Sequence, residues 1–393
     1  MSRVMWNLLL IPSVYGALVW VGLLSLMTFD LVPLNITSEA TSVFLYVVLC
    51  FLVSSAAFFR DYAAVNILKF GVSIKSDGLD RFFFWVFTVI GFFGLYLYIL
   101  DFSSNFGGLA GFFEVFFSNP LEIRALATEV VSLGFQVSYF SWISVFYCVA
   151  YLVLGDARLR PNIFLLILVG GIGFFLNLLF IDRTRPTILF LVCLLSVGII
   201  RFSRMKNPMR FYVSVFAGPL LIFFVQALYT GKYDSEGGLF GNFLAYVLGG
   251  FGYFSSLLGD VTPDYSLVRI FYPLSKLMES AGLLDSVPAQ ILDFREVPFF
   301  TNVGTFLEPL LSDGGIWLVI VGVPLLVFSI DLMALRALRD RSIMGLFIWA
   351  NMVLVALFSF FVPKYNATQI YLFVSIYFAG QFIRSMRFGR GGG

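Results

Sequence analysis

Apolar runs long enough to cross a bilayer recur along almost the whole chain, and that recurrence restricts the fold more than any single motif does. A helix needs roughly 20 apolar residues to pass the hydrocarbon core, where each peptide N–H and C=O must be satisfied within the helix itself. Such runs occupy residues 8–29, 41–59, 82–101, 129–154, 163–181, 187–202, 211–228, 316–335, 343–362 and 370–384. Composition agrees: 60% of the 393 residues are hydrophobic, 12% are charged and 49 are Phe, too little polar surface for a water-soluble domain. The sequence therefore predicts an all-α polytopic integral membrane protein of about ten transmembrane helices, one transmembrane domain over residues 1–393. Only Arg3 precedes the first run, and no small-residue cleavage site follows it, so it is read as a retained helix.

Lys and Arg set the orientation, because they gather in cytoplasmic loops. Arg3, the connections at 60–81, 158–160, 201–210 and 336–341, and the tail at 384–390 hold 17 of the 25 basic residues, and they alternate correctly for ten spans. Of the 23 acidic residues, 17 lie at or beyond the opposite boundary. On this map both termini are cytoplasmic and two long segments lie outside. Residues 102–128 mix Gly-rich turns with a Phe-rich stretch too short to span, which fits an interfacial or re-entrant loop. Residues 229–315, between spans seven and eight, are long enough to be a lid with a function of its own. Within that lid "GNFLAYVLGGFGYFSSLLG" (241–259) is apolar but interrupted by glycines, and is expected to lie on the membrane or dip into it.

The chain contains no His, which removes the usual zinc and haem ligands and the Ser-His and Cys-His catalytic pairs. Cys50, Cys148 and Cys193 fall inside apolar runs, so neither a disulfide framework nor thiol chemistry is expected. No ligand spacing points to a metal, no motif to a cofactor, and no basic patch to nucleic acid. The sequons at Asn35 and Asn366 are read as chance.

Against this background "IDRTRP" (181–186) stands out as a short outer turn carrying both Arg183 and Arg185, where outer loops ordinarily avoid arginine. Two readings remain open. The side chains snorkel to lipid headgroups, or they clamp an anion, for which the planar two-pronged guanidinium suits phosphate.

The end of the lid reads "FTNVGTFLEPLLSDGGIWLVIVGVPLL" (300–326) and resembles the signature before a late transmembrane helix in Wzy-type oligosaccharide repeat-unit polymerases of O-antigen and capsule synthesis. The matching positions are Asn302, Val303, Thr305, Asp313, Gly314 and Gly315. The Arg-bearing turn at 182–186 and the Gly-Gly segment before Arg124 are similar to further parts of that family's layout. The resemblance implies a GT-C-like glycosyltransferase in the bacterial inner membrane, with its active site facing the periplasm. Its substrates would be polyprenyl-pyrophosphate-linked oligosaccharides, taken from the membrane lipid, and a chain-length-regulating membrane co-polymerase would be its partner.

Candidate residues follow. Glu308 and Asp313 flank the junction of lid and eighth span, and a carboxylate beside lipid suits a general base for a sugar hydroxyl. Five residues of helix turn them about 140° apart, so one of the two is expected to face the site. The alternatives are a plain lid residue for Glu308 and a helix cap for Asp313. Arg183 and Arg185 lead the pyrophosphate candidates, followed by Arg124 and Arg269. Tyr229, Lys232, Tyr233, Tyr265, Tyr272, Asn302 and Thr305 are candidates for glycan contact, while Arg295 is expected to pair with its acidic neighbours Asp293 and Glu296. Two other functions compete. A lipid-linked oligosaccharide flippase would place ionisable groups in mid-membrane, whereas here charges cluster at helix ends; an O-antigen ligase would carry an outer His, which is missing.

Overall fold

A computed structural model describes residues 6–66, 69, 74, 76–119, 122–123, 132–154, 161–178, 184–202, 205, 213, 217–218, 221, 225, 238–289, 292–297 and 300–388. The chain is an all-α membrane protein. Its helices are α1 (Pro12–Met27), α2 (Ser38–Val65), α3 (Gly78–Ser104), α4 (Leu109–Ser118), α5 (Leu133–Ser138), α6 (Phe140–Leu154), α7 (Ile163–Leu178), α8 (Thr184–Arg201), α9 (Gly238–Asp260), α10 (Tyr272–Ser280), α11 (Glu308–Asp340), α12 (Ile343–Leu357) and α13 (Thr368–Phe388). Among the described residues the one β-element is a two-residue antiparallel ladder pairing Arg295–Glu296 with Phe300–Thr301. Four helical stretches among the described residues are long and apolar enough to cross a membrane: α2, α3, the α5–α6 pair over Leu133–Leu154, and α11. The seventh run, 211–228, lies almost wholly outside the described residues.

Two compact units partition the chain. The first takes Met1–Asn66, Ser235–Arg339 and Asn351–Ala379. Its centre is aromatic. The fully buried Trp20 of α1 meets Phe251 of α9 edge-on at 5.1 Å, and Phe44 of α2 meets the same ring at 4.9 Å. Pairs of this geometry contribute about 1 kcal/mol each beyond simple burial. The indole N–H donates to Ser359 Oγ at 2.8 Å, so the ring enters an apolar core without stranding its donor. Small residues allow the close crossings: a Cβ at Gly16 would fall 2.5 Å from the Phe51 ring, and one at Gly250 would fall 2.8 Å from the Phe360 carbonyl. The segment 241–259, read from sequence as broken by its glycines, is one uninterrupted helix whose Leu248, Phe251 and Phe254 are buried core.

Asp331 departs from the expected confinement of charge to helix ends, since it sits well inside α11 and is completely buried. One carboxyl oxygen takes the Ser13 N–H at 3.0 Å and the other the Ser54 hydroxyl at 2.6 Å, while Tyr62 donates to the Asp331 carbonyl at 2.7 Å. Both oxygens are thereby engaged, and α1, α2 and α11 are fastened at one point.

The second unit comprises Ile67–Asp234, Asp340–Ala350 and Gly380–Gly393. An Asp77–Asp80 capping box starts α3. That helix then crosses the α5–α6 pair on glycines: added Cβ atoms at Gly91, Gly94 and Gly134 would lie 2.2, 2.5 and 2.6 Å from the backbone nitrogens of Ser141, Ser138 and Tyr98. Asn177 joins α6 and α7, accepting from Trp142 Nε1 at 3.0 Å and donating to Ser141 Oγ at 3.1 Å. Arg384 reaches Asp77, Asp80 and Asp340 at 3.2, 2.9 and 3.5 Å. After α3, α4 is a ten-residue helix whose Phe112 packs with Leu95, Tyr98, Phe102 and Ile123.

Candidate functional site

Within the first unit, the lid meets α11 at a cleft lined by Arg269, Tyr272, Ala289, Leu292, Glu308, Pro309, Ser312, Pro363 and Asn366. Its position follows from a break in α11. Gly315 adopts φ 65° with ψ −163°, a conformation open essentially only to glycine that costs a side-chain-bearing residue about 1–3 kcal/mol. The seven residues before it, including Glu308 and Asp313, are thus set off from the apolar span that follows.

Glu308 is buried and makes no ion pair among the described residues. The Thr305 hydroxyl donates to its two carboxyl oxygens, at 3.3 and 3.2 Å, and accepts the Leu307 N–H at 3.1 Å. Thr305, expected to touch glycan, is instead fully buried and spends its hydroxyl on orienting Glu308. Gly304 makes room for that carboxyl, since a Cβ there would lie 2.9 Å from the Glu308 carboxyl carbon and 2.5 Å from Leu292 Cδ1.

Asp313 does act as a cap, but of the lid and not of its own helix. Its Oδ2 accepts the N–H groups of Arg269 and Ile270, each at 2.9 Å. The lid turn is further tied by Asp264 N–H to the Ser312 carbonyl at 3.1 Å and by the Asn366 amide to the Arg269 carbonyl at 2.8 Å. These bonds hold a strained segment, for Tyr265 and Leu267 have φ of 54° and 58°. Around the same junction four buried polar atoms have no hydrogen-bond partner among the described residues: Arg269 Nε, Asp313 Oδ1, the Tyr365 hydroxyl and Asn366 Oδ1. Burial, followed by the nearby Asp313 and Glu308 carboxyls, pushes the Tyr365 phenol well above its ordinary range, so it stays a neutral donor. Two acceptors and two donors suit groups that both give and take hydrogen bonds, as sugar hydroxyls do.

Of the residues predicted from sequence, Glu308, Asp313, Arg269, Tyr272 and Thr305 meet at this junction. Tyr265 is exposed on the outer side of the turn, and Asn302 is half-buried just upstream. Arg124, Arg183, Tyr229, Lys232 and Tyr233 lie outside the described residues. Arg295 pairs with Asp260 at 3.1 Å, not with Asp293 or Glu296. Gly304, Tyr365 and Asn366 were not singled out for this site; Asn366 had been noticed only as a sequon.

Arg185 belongs to the second unit and is 2% exposed. Its guanidinium lies 4.2 Å from the Phe135 ring centre, 4.5 Å from Tyr139 and 5.7 Å from Tyr98, and it donates to Ser138 Oγ at 3.0 Å and the Phe135 carbonyl at 3.3 Å. The side chain turns into the helix packing and does not snorkel. Compared with known proteins, the chain matches no protein-family model, no curated protein and no solved structure.

Proposed function

We propose that the protein is a ten-span glycosyltransferase of GT-C-like architecture, with cytoplasmic termini, that polymerises lipid-linked oligosaccharide repeat units at the outer face of a bacterial inner membrane. The observation that carries this reading is the cleft where Glu308, Arg269 and Asn366 converge at the start of a membrane span. An acceptor sugar hydroxyl would attack the anomeric carbon of the donor glycan. As that C–O bond forms, the bond from the anomeric carbon to pyrophosphate breaks, and its electron pair leaves with polyprenyl pyrophosphate. Glu308 takes the hydroxyl proton. Its orientation by Thr305 favours it over Asp313, whose Oδ2 is committed to the lid backbone.

Arg269 would meet the developing pyrophosphate charge; the ring cage around Arg185 favours packing for that residue. A co-polymerase that sets chain length is the expected partner. For a flippase the group to consider is Asp331, but its two engaged oxygens favour helix fastening over cargo carriage. Deleting the gene in its host tests the function. The expected result is loss of long glycan chains with single-unit glycan retained; unchanged chain-length ladders would reject it.

A further inference from the structure

We infer that α10 is an amphipathic anchor seated among the acyl chains of the bilayer leaflet on the lid's own side, so that one wall of the cleft stands at the lipid surface. Phe271, just before the helix, and Leu274 and Leu277 within it are 46, 51 and 64% exposed. At 100° per residue they fall, with Met278, within an arc of about 120°. The other side of the helix carries Tyr272, which lines the cleft, the buried Ser275, and the Lys276–Glu279 ion pair at 2.6 Å. A helix whose one side meets protein and polar groups while its other side bares large apolar residues matches an interfacial segment.

The occupant follows from continuity with the membrane-facing surface of α11. Pro263 touches Gly315, where a Cβ would be 2.9 Å from Pro263 Cγ, and Asp264 N–H bonds the Ser312 carbonyl at 3.1 Å. Asp313 holds the backbone of Arg269 and Ile270, immediately before α10. The lid is therefore pinned where the apolar span begins, and Trp317, two residues past Gly315, is 75% exposed on that span. Leu267, Phe271, Leu274 and Leu277 are further exposed apolar side chains on this pinned segment. Because Arg269 and Tyr272 belong to the same turn and helix, the anchor would fix them beside lipid-borne ligands. The anchor does not depend on the polymerase reading.

Nitroxide labels in a variant lacking Cys50, Cys148 and Cys193 test it, with the full chain in plain phospholipid liposomes that contain no polyprenyl lipid. Labels at Leu274→Cys and Leu277→Cys should collide with oxygen in several-fold preference to a water-soluble nickel chelate, as a label at Trp317→Cys does. A label at Lys276→Cys should show the opposite preference. Nickel access at position 277 equal to that at 276 would overturn the anchor. So would protection from both reagents, which would point to a protein partner, or an oxygen preference seen only after adding polyprenyl phosphate, which would point to a substrate tail. None of these outcomes depends on catalysis.

Discussion

Arg185 and Arg269 both enter from the sequence as candidates for pyrophosphate, Arg185 ahead of Arg269, yet their surroundings contrast. Arg185 is ringed by Phe135, Tyr139 and Tyr98 and bonded to Ser138, all inside helix packing. Arg269 keeps its backbone bound by Asp313 and Asn366 while its side chain lines a cleft beside Glu308. In the first case the residue's hydrogen bonds and ring contacts serve stability; in the second the backbone serves stability and the side chain is left for a ligand. Charge and position in the chain do not separate these roles, but an aromatic cage on one side and a cleft on the other do.

Substitutions that follow this contrast have graded effects. Glu308→Gln, at the cleft, should lower chain extension by at least about 100-fold, since positioned acid–base groups contribute on the order of 10²–10⁴. Its melting temperature in detergent should barely move, because the amide keeps the size of the side chain. Arg269→Ala should reduce the turnover of lipid-linked substrate by roughly 10- to 100-fold if it stabilises developing charge, again with little change in melting. Arg185→Ala reverses the pattern: loss of its ring contacts and hydrogen bonds should cost about 2–3 kcal/mol of stability, read as a lower melting temperature, while activity per folded molecule holds. If Arg185→Ala melts like the wild type but loses activity, the distinction between the two arginines collapses. Gly315→Ala should likewise cost stability, about 1–3 kcal/mol for a backbone conformation open essentially only to glycine. That loss should appear as proteolytic sensitivity of the lid between Asp264 and Ile270 before global melting.

Much of the helical layout was legible because hydropathy is a one-dimensional signal. α2 and α3 contain the predicted runs 41–59 and 82–101 and extend them by a turn or so at their ends, where caps at Thr37 and Asp77 take over. The junction of lid and span was legible too, since Glu308, Asp313 and the Gly-Gly pair lie within eight residues of one another. What escaped depends on contacts far apart in sequence. The Asn366–Arg269 bond joins residues 97 positions apart, and the burial of Tyr365 beside Asp313 is equally non-local. The inward turn of Arg185 needed the crossing of α3 with α5, which no local pattern encodes. Glycines in 241–259 were read as breaks, although in an apolar setting they admit close neighbours such as the Phe360 carbonyl. Asp331 was hidden for the same reason: its compensating donors come from α1 and α2.

The most direct measurement supplies the purified protein, in liposomes, with a single lipid-linked repeat unit and follows both products at once. Glycan chains should lengthen, with one polyprenyl pyrophosphate released for each unit joined, and both signals should disappear together in Glu308→Gln while substrate binding persists. Release without chain growth, transfer of intact substrate across the bilayer with no release, or full chain growth by Glu308→Gln would contradict polymerisation at this cleft.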